Sequence, residues 1–576
     1  MATATLAGLR LPGLARLGAS PAQVALGLAV AAFLVAFLVV PVLRVAWVAF
    51  QGPAGFTLVH FGDFFASTLF REALYNSLYV AAMTVVLATI IAVPLAYFIA
   101  RFDFPGAGII HTLGVIPLVM PPFVGAIAMQ LVYGRNGTVN LLLNDAFGFR
   151  IPFMEGLNGV IFVEGIHYFP FILLNLSAAL SNIDSAMEES AQNLGARGWT
   201  LFRTVVFPLA LPGYVAGASL VFVKVFDDLA TPLLLNVTAM LAPQAYLRIT
   251  SVGLADPVGY VISVIMVAVS LAAMGGAALL LRGRDYATQQ RGGGGLQRRR
   301  MRSGEAAFAW IFIAITLLIV LSPHIGILLL SLGTVWSFSP LPDGFTLAHY
   351  GTVLTESTRY MVNTVLYCGG AGLLDVLIGI AIAYLVQRTR LPGRRLLDQA
   401  ATASLAVPGL VLGIGILRTY FEVSVPGIEG SLATSGLMLT IAYAVRRLPY
   451  ALRACDAALR QLHVSLEEAA EMLGAGKLFT LARIVVPLML GGIAAGFVTA
   501  FATAAVELSA TLLLVTRDVN APLSYAIYVY MQSPAGRGPG AALGVIAVVV
   551  VAVGTWLSHR LAERDRSRRS REVVAA

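Results

Sequence analysis

Ser465-Leu466-Glu467-Glu468-Ala469-Ala470-Glu471-Met472-Leu473-Gly474, followed after a short amphipathic run by Ile484-Val485-Val486-Pro487, occurs twice in this chain. The earlier copy reads Ser185-Ala186-Met187-Glu188-Glu189-Ser190-Ala191-Gln192-Asn193-Leu194-Gly195 and ends Val205-Val206-Phe207-Pro208. Gly195 to Gly474 and Pro208 to Pro487 both span 279 residues. Each copy opens with a Ser-x-x-Glu capping-box pattern, Ser465 with Glu468 and Ser185 with Glu188, which would satisfy the first free N–H groups of a helix. Each glycine stands where a left-handed helix C-terminus costs least, and a second helix is expected to stop at the proline. Polar helix–glycine–helix elements between long apolar segments should protrude from a membrane domain, as a coupling element would.

The composition supports a membrane setting. The chain is 58% hydrophobic and 12% charged, with mean hydropathy +0.85, whereas soluble domains run at about 45–50% and about 25%. The net charge of +9 lies in basic residues between apolar runs, so it reads as a set of topology determinants rather than a nucleic-acid surface. Cys368 and Cys455 are the only cysteines and each lies in or beside an apolar segment; no disulfide framework or Cys-based metal site follows. The seven histidines are scattered, without a pair at helical metal-ligand spacing. The first apolar run, about 23–43, is long enough to span the bilayer and lacks a clean small-residue cleavage site. It is expected to remain as a first transmembrane helix.

Apolar spans are expected at roughly 23–47, 73–100, 108–133, 157–180, 208–226 and 258–282, then 306–333, 361–386, 398–420, 434–456, 487–506 and 541–559. This gives an all-α membrane protein of about twelve transmembrane helices in two six-helix units, 1–282 and 304–576. The glycine-hinged loops fall at about 181–208 and 460–487. Between the units, residues 283–303 hold Gly292-Gly293-Gly294-Gly295 among arginines, a basic flexible linker. A phosphate-binding loop is excluded there, because no Gly-Lys-Ser/Thr follows. The chain is therefore expected not to bind ATP by itself, and no cofactor is expected on it.

Arg101; Arg197 and Arg203; the linker; Arg388 to Arg395; Arg446, Arg447, Arg453, Arg460, Lys477 and Arg483; and the tail Arg560 to Arg571 fall in alternate loops. The positive-inside rule then places both termini and both Gly-hinged loops in the cytoplasm. The repeat extends further: Asn76 matches Asn363, Arg101 matches Arg388 and Pro121 matches Pro408, all at an offset of 287. The offset falls to 279 by Gly195, so the first half has eight extra residues, expected in the loop near 134–156. Both copies keep one orientation, a parallel repeat about an axis along the membrane normal. Asn76, Asn363, Pro121 and Pro408 read as packing and kink positions.

Asp227-Asp228 and Glu507 sit in the fifth span of each half, with Asp228 and Glu507 again 279 apart. A charge near the bilayer centre costs about 2.5–3.5 kcal/mol on insertion scales, so such acids face protein or a water-filled cavity. Two readings stand: Asp227, Asp228 and Glu507 line a translocation path for a cation or hold its outer gate, or they sit near the outer helix end or pair within the bundle, for example Asp227 or Asp228 with Lys224. Neighbouring helical residues point about 100° apart, so at most one of the two aspartates faces a path.

Glu468-Ala469-Ala470, Gly474 and Ile484-x-x-Pro487 resemble the EAA loop of the permease subunits of binding-protein-dependent ABC importers. The first copy departs from it at Ser190 and Val205. The resemblance, which covers nearly the whole chain, implies a type I importer-like permease in a bacterial inner membrane. A homodimeric cytoplasmic ABC ATPase would grip both loops, and a periplasmic or lipid-anchored binding protein would deliver the solute. The docking residues it implies are Glu188, Glu189, Ala191 and Gly195 in the first loop and Glu467, Glu468, Ala470 and Gly474 in the second. Glu189 and Glu468 are the expected polar contacts, and ATP-driven closure would rock the halves. The fused form, with Asp228-Leu-Ala-Thr-Pro-Leu-Leu-Leu235 and Glu507-Leu-Ser-Ala-Thr-Leu-Leu-Leu514, looks most like ferric-iron permeases. Thiamine, aminophosphonate, polyamine or oxyanion permeases remain alternatives within that class. Iron would pass without a high-affinity metal site. A gradient-driven secondary transporter is the competing class; it would have no use for docking loops, and its uptake would survive ATP depletion. No nucleophile–His–acid set argues for an enzyme, and nucleic acid is not an expected partner.

Overall fold

The computed structural model describes residues 20–53, 55–282, 299–301, 303–554 and 556. The termini and most of the basic linker, with the arginine runs assigned to them above, lie outside the described residues. In lipid every backbone N–H and C=O must find a partner within the chain, which leaves helices as the solution for runs this apolar. Among the described residues, regular structure is helical apart from two pairs of two-residue strands and one isolated bridge.

In chain order the long helices are α1 (Pro21–Ala49), α2 (Thr68–Arg101), bent α3 (Ala107–Val119 with Pro122–Phe147) and α4 (Gly156–Ser181). Short α5 (Ser185–Asn193) is followed by α6 (Gly198–Asp227), α7 (Pro257–Leu280) and α8 (Ser303–Leu332). Then come α9 (Thr358–Arg388), bent α10 (Arg394–Ala406 with Gly409–Tyr420), α11 (Gly436–Arg460) and short α12 (Ser465–Met472). Bent α13 (Leu481–Leu488 with Leu490–Ala505) and α14 (Arg537–Gly554) complete the set. Eight of these are single helices long and apolar enough to cross a membrane, and the three bent pairs bring the number to eleven. The 25-residue α11 is as long, but its run of arginines keeps it below that apolarity. These twelve segments match the twelve apolar runs of the sequence.

Pro121 and Pro408 precede the second limbs of α3 and α10, where the chain turns by 103° and 108°. They break their helices outright rather than kinking them. The fifth span starts earlier than hydropathy indicates. A π-helical turn over Phe202–Val206 shifts the hydrogen-bond register just ahead of Pro208, and Gly198–Asp227 runs through as one 30-residue helix. The prolines expected to stop the second docking helices are therefore carried into the spans. In the second half the same design bends by 68° near Met489.

The chain divides into two compact units that do not coincide with the sequence halves. One contains Met1–Trp47 with Arg359–Ser524 and Val549–Ala576; the other contains Val48–Thr358 with Tyr525–Val548. Thus α1 packs with the second repeat: Val30 and Leu34 join a core with Ile382, Leu448 and Leu452, and the Tyr420 hydroxyl donates to the Ala36 carbonyl at 2.8 Å. Within the other unit, α8 packs on the first repeat, Phe308 and Phe312 meeting Phe98.

Each unit fastens the loop after its fifth span in the same way. The Asn76 amide donates to the Ala239 carbonyl at 2.9 Å, and Ser77 Oγ accepts from the Leu241 N–H. Asn363 donates to the Val519 and Ala521 carbonyls, both at 2.9 Å, while Thr364 accepts from the Leu523 N–H. Replacing Asn363 by Leu takes the donor from the buried Ala521 carbonyl and from the half-buried Val519 carbonyl. It should lower stability by about 1–3 kcal/mol, seen as a fall in the thermal unfolding midpoint of detergent-purified protein, with Thr352→Ala on an exposed helix face as the neutral control.

Candidate docking loops and buried charges

The first docking helix α5 starts at an Asp184 cap, whose carboxylate accepts from the Ala186 N–H at 3.0 Å. The second, α12, has Val464 at its cap position without a side-chain bond, and His463 reaches Ser465 Oγ at 2.8 Å. Neither expected capping box forms, because both serines lie inside the first turn. The glutamates there are drawn elsewhere. Glu188 pairs with Arg101 at the end of α2, and Glu467 pairs with Arg388 at the end of α9 at 2.6 Å. Arg388 also donates to the Leu459 and Leu462 carbonyls. A largely buried guanidinium offers a carboxylate more than a reciprocal backbone bond does. Burial lifts the Glu188 carboxyl above its usual range, and the charge of Arg101 pulls it back down.

Both docking helices end in a left-handed glycine, Gly195 at φ 91° and Gly474 at φ 85°. Ala196 N–H reaches the Ala191 carbonyl and Ala475 N–H the Ala470 carbonyl, each at 3.0 Å, the closing bonds of Schellman turns. Beyond the turn the chain enters α6 or α13, so each loop is anchored at both ends. Glu189 and Glu468 are exposed, Ala191 is half-buried, Ala470 is buried, and the glycines are exposed. Leu194 and Leu473 are 90% exposed at the elbow, an apolar point surrounded by charge.

The acids of the fifth spans are placed differently in the two units. Glu507 is buried between Arg446 at 2.8 Å and Arg447 at 2.5 Å, both on α11. For this acid, pairing within the bundle is what the geometry shows. Arg446 and Arg447, read above as cytoplasmic loop charges, are instead internal counter-ions. Gly409 makes room for them, since a Cβ there would lie 1.5 Å from Arg446 Nη1. Asp375 on α9 is also fully buried and faces Arg447. In the other unit Asp227 is buried, and Asp228 accepts from the Ala230 and Thr231 N–H groups at 3.2 and 3.3 Å. Asp228 also meets Glu164 of α4, a residue not singled out in the sequence. Among the described residues no group of three or more His, Cys, Asp or Glu is arranged to hold a metal ion.

Two pinned, glycine-ended loops thus stand on a multi-span helical membrane protein. The chain belongs to the family of binding-protein-dependent transport system inner membrane components, whose model matches residues 92–330 and 375–567. It is the multi-pass permease subunit of an ABC importer, with two such modules in one chain. It is 26% identical over 83% of its length to the ferric transport system permease protein FbpB of Actinobacillus pleuropneumoniae, of which it covers 69%. A putative ferric transport permease of Haemophilus influenzae, FbpB 1, is also 26% identical, with 79% of this chain and 71% of the relative aligned. The molybdenum permease ModB of Haemophilus influenzae is 34% identical over 27% of this chain and 66% of its own length. A bacterial ABC transporter of known structure that imports alginate aligns with 45% of this chain and 95% of its own at 19% identity, with TM-score 0.38.

Two outcomes follow from the ion pairs. Arg388→Gln removes three contacts to α12 and its approach, and should raise amide hydrogen exchange across 465–474 at least severalfold while leaving 185–195 unchanged. Glu507→Ala leaves two buried guanidiniums without their shared carboxylate. It should cost about 3–5 kcal/mol, measured as loss of folded protein in detergent, with Glu507→Gln intermediate.

Proposed function

We propose that this permease imports ferric iron, delivered by a periplasmic or lipid-anchored binding protein and driven by a homodimeric cytoplasmic ATPase. The similarity to ferric permeases over 83% of the chain carries the choice of solute; the molybdenum relative aligns with only 27%. Both termini and both docking loops lie in the cytoplasm in this reading. ATP and magnesium belong to the ATPase. Glu189, Glu468, Leu194 and Leu473 form the contact points with the ATPase, and Gly195 and Gly474 set the elbow angle. Nucleotide-driven movement of each loop passes through Arg101–Glu188 or Arg388–Glu467 to α2 or α9, and through the continuous chain to α6 or α13.

The test is labelled ferric-iron uptake by iron-starved cells lacking the protein, complemented with wild type or with Gly195→Asp plus Gly474→Asp. No atom lies within 4 Å of a Cβ at either glycine. The substitutions therefore strain the left-handed turn by roughly 1–2 kcal/mol each and add charge at the contact without displacing the fold. Wild type should restore uptake; the double variant should insert normally, lose the ATPase on co-purification and restore none. Uptake restored equally by both would reject ATPase coupling and favour a gradient-driven carrier. Failure of inserted wild type with its partners present would reject iron.

A further inference from the structure

Superimposing the two repeats by sequence exposes an imbalance of charge. At an offset of 279, Asp228 corresponds to Glu507, Glu164 to Tyr443, His167 to Arg446 and Tyr168 to Arg447. In the second repeat the single carboxylate Glu507 is held by two guanidiniums. In the first repeat both arginines are missing and a second carboxylate has been added. Glu164 is fully buried in α4, Asp228 lies within hydrogen-bonding reach of it, and neither oxygen of Glu164 meets a donor from the protein. The two carboxyls face each other within hydrogen-bonding reach, and no lysine or arginine acts on either.

The other charges nearby do not correct this. Lys224 and Asp227 lie within one helical turn on α6 and are opposite in sign, so together they contribute no net charge. His167 stands one turn from Glu164 on α4 and faces His324 of α8 across a small cavity also lined by Pro122, Met120 and Met129. Pro122 occupies the position of Gly409, the residue that makes room for Arg446 in the second repeat. The first repeat has thus lost both the arginine and the space for one.

We propose that Glu164 and Asp228 form an intramembrane way-station for the transported hard cation, filled in the second repeat by the protein's own guanidiniums. The inference rests on the ferric reading for the identity of the cargo, and on the geometry alone for the site. Two carboxylates supply hard oxygen ligands of the kind trivalent ions prefer. They are too few to form a closed cage, as suits an ion that must also leave. Asp228 is held by the Ala230 and Thr231 N–H groups, so the approach of one ligand is fixed in advance.

The experiment uses the full-length permease purified with its ATPase, titrated with Tb3+ as a luminescent hard trivalent probe, alongside ferric-iron uptake in cells. Glu164→Gln and Asp228→Asn should each weaken Tb3+ binding by roughly tenfold or more, as expected for loss of a charged ligand. Both should depress uptake while keeping the ATPase bound. Pro122→Gly with His167→Arg, which rebuilds the second repeat's counter-ion, should abolish Tb3+ binding by a route that keeps both carboxylates. Wild type that binds Tb3+ no more tightly than the Glu164→Gln/Asp228→Asn pair overturns the proposal and leaves the acids sharing a proton. Wild-type iron uptake in that pair also overturns it. Tb3+ binding that depends on both acids, in a permease that fails to import iron, keeps the site and rejects ferric iron as the cargo.

Discussion

A charge removed from water must be answered locally, and this constraint shapes most of what is polar in the molecule. Away from solvent the penalty for an unanswered ion is several kcal/mol even after relaxation. Among the described residues three sites meet it with the same chemistry. Arg101 answers Glu188, Arg388 answers Glu467, and Arg446 with Arg447 answers Glu507. Two of these pairs fix a short loop helix to the end of a spanning helix. The third clamps the start of the loop after the fifth span against α11. The same guanidinium–carboxylate geometry serves both as a joint and as an internal brace.

The joints differ in strength. Arg388 combines its carboxylate partner with two main-chain carbonyls, whereas Arg101 leaves Nε and Nη2 buried without partners. The second docking helix, whose sequence keeps the full Glu-Ala-Ala pattern, is therefore the more rigidly held. The first, with Ser190 in place of the first alanine, is the looser of the two. The two loops are thus held with unequal stiffness, although their backbones end in the same left-handed glycine.

Much of this was visible in the residues. The duplicated loops, the glycine elbows, the offsets of 279 and 287 and the twelve apolar runs all lie in local pattern. What escaped was long-range or compensatory. Arg446 and Arg447 read as loop charges because hydropathy treats a buried, paired guanidinium as it would an exposed one. Glu164 gave no signal, being a lone acid in an apolar run whose counterpart is on another helix. The capping boxes failed because Asp184 and Val464 start the helices early and Arg101 and Arg388 claim the glutamates. The π-turn at Phe202–Val206, which carries the segment after the Gly195 elbow into the fifth span, has no signature in apolar periodicity.

The exchange of first helices between repeats has a consequence for how the protein is made. Translation delivers α1 to the membrane long before its packing partners Ile382, Leu448 and Leu452 exist. The helix must wait in lipid, its small inward face unburied, until the second repeat has been inserted. The unit built on the first repeat needs α8 and, later still, Tyr525–Val548. Completion of either unit therefore depends on synthesis passing the midpoint of the chain, so a ribosome that stalls halfway leaves no finished half. Fusing the two modules makes the exchange intramolecular and fixes which helix completes which core.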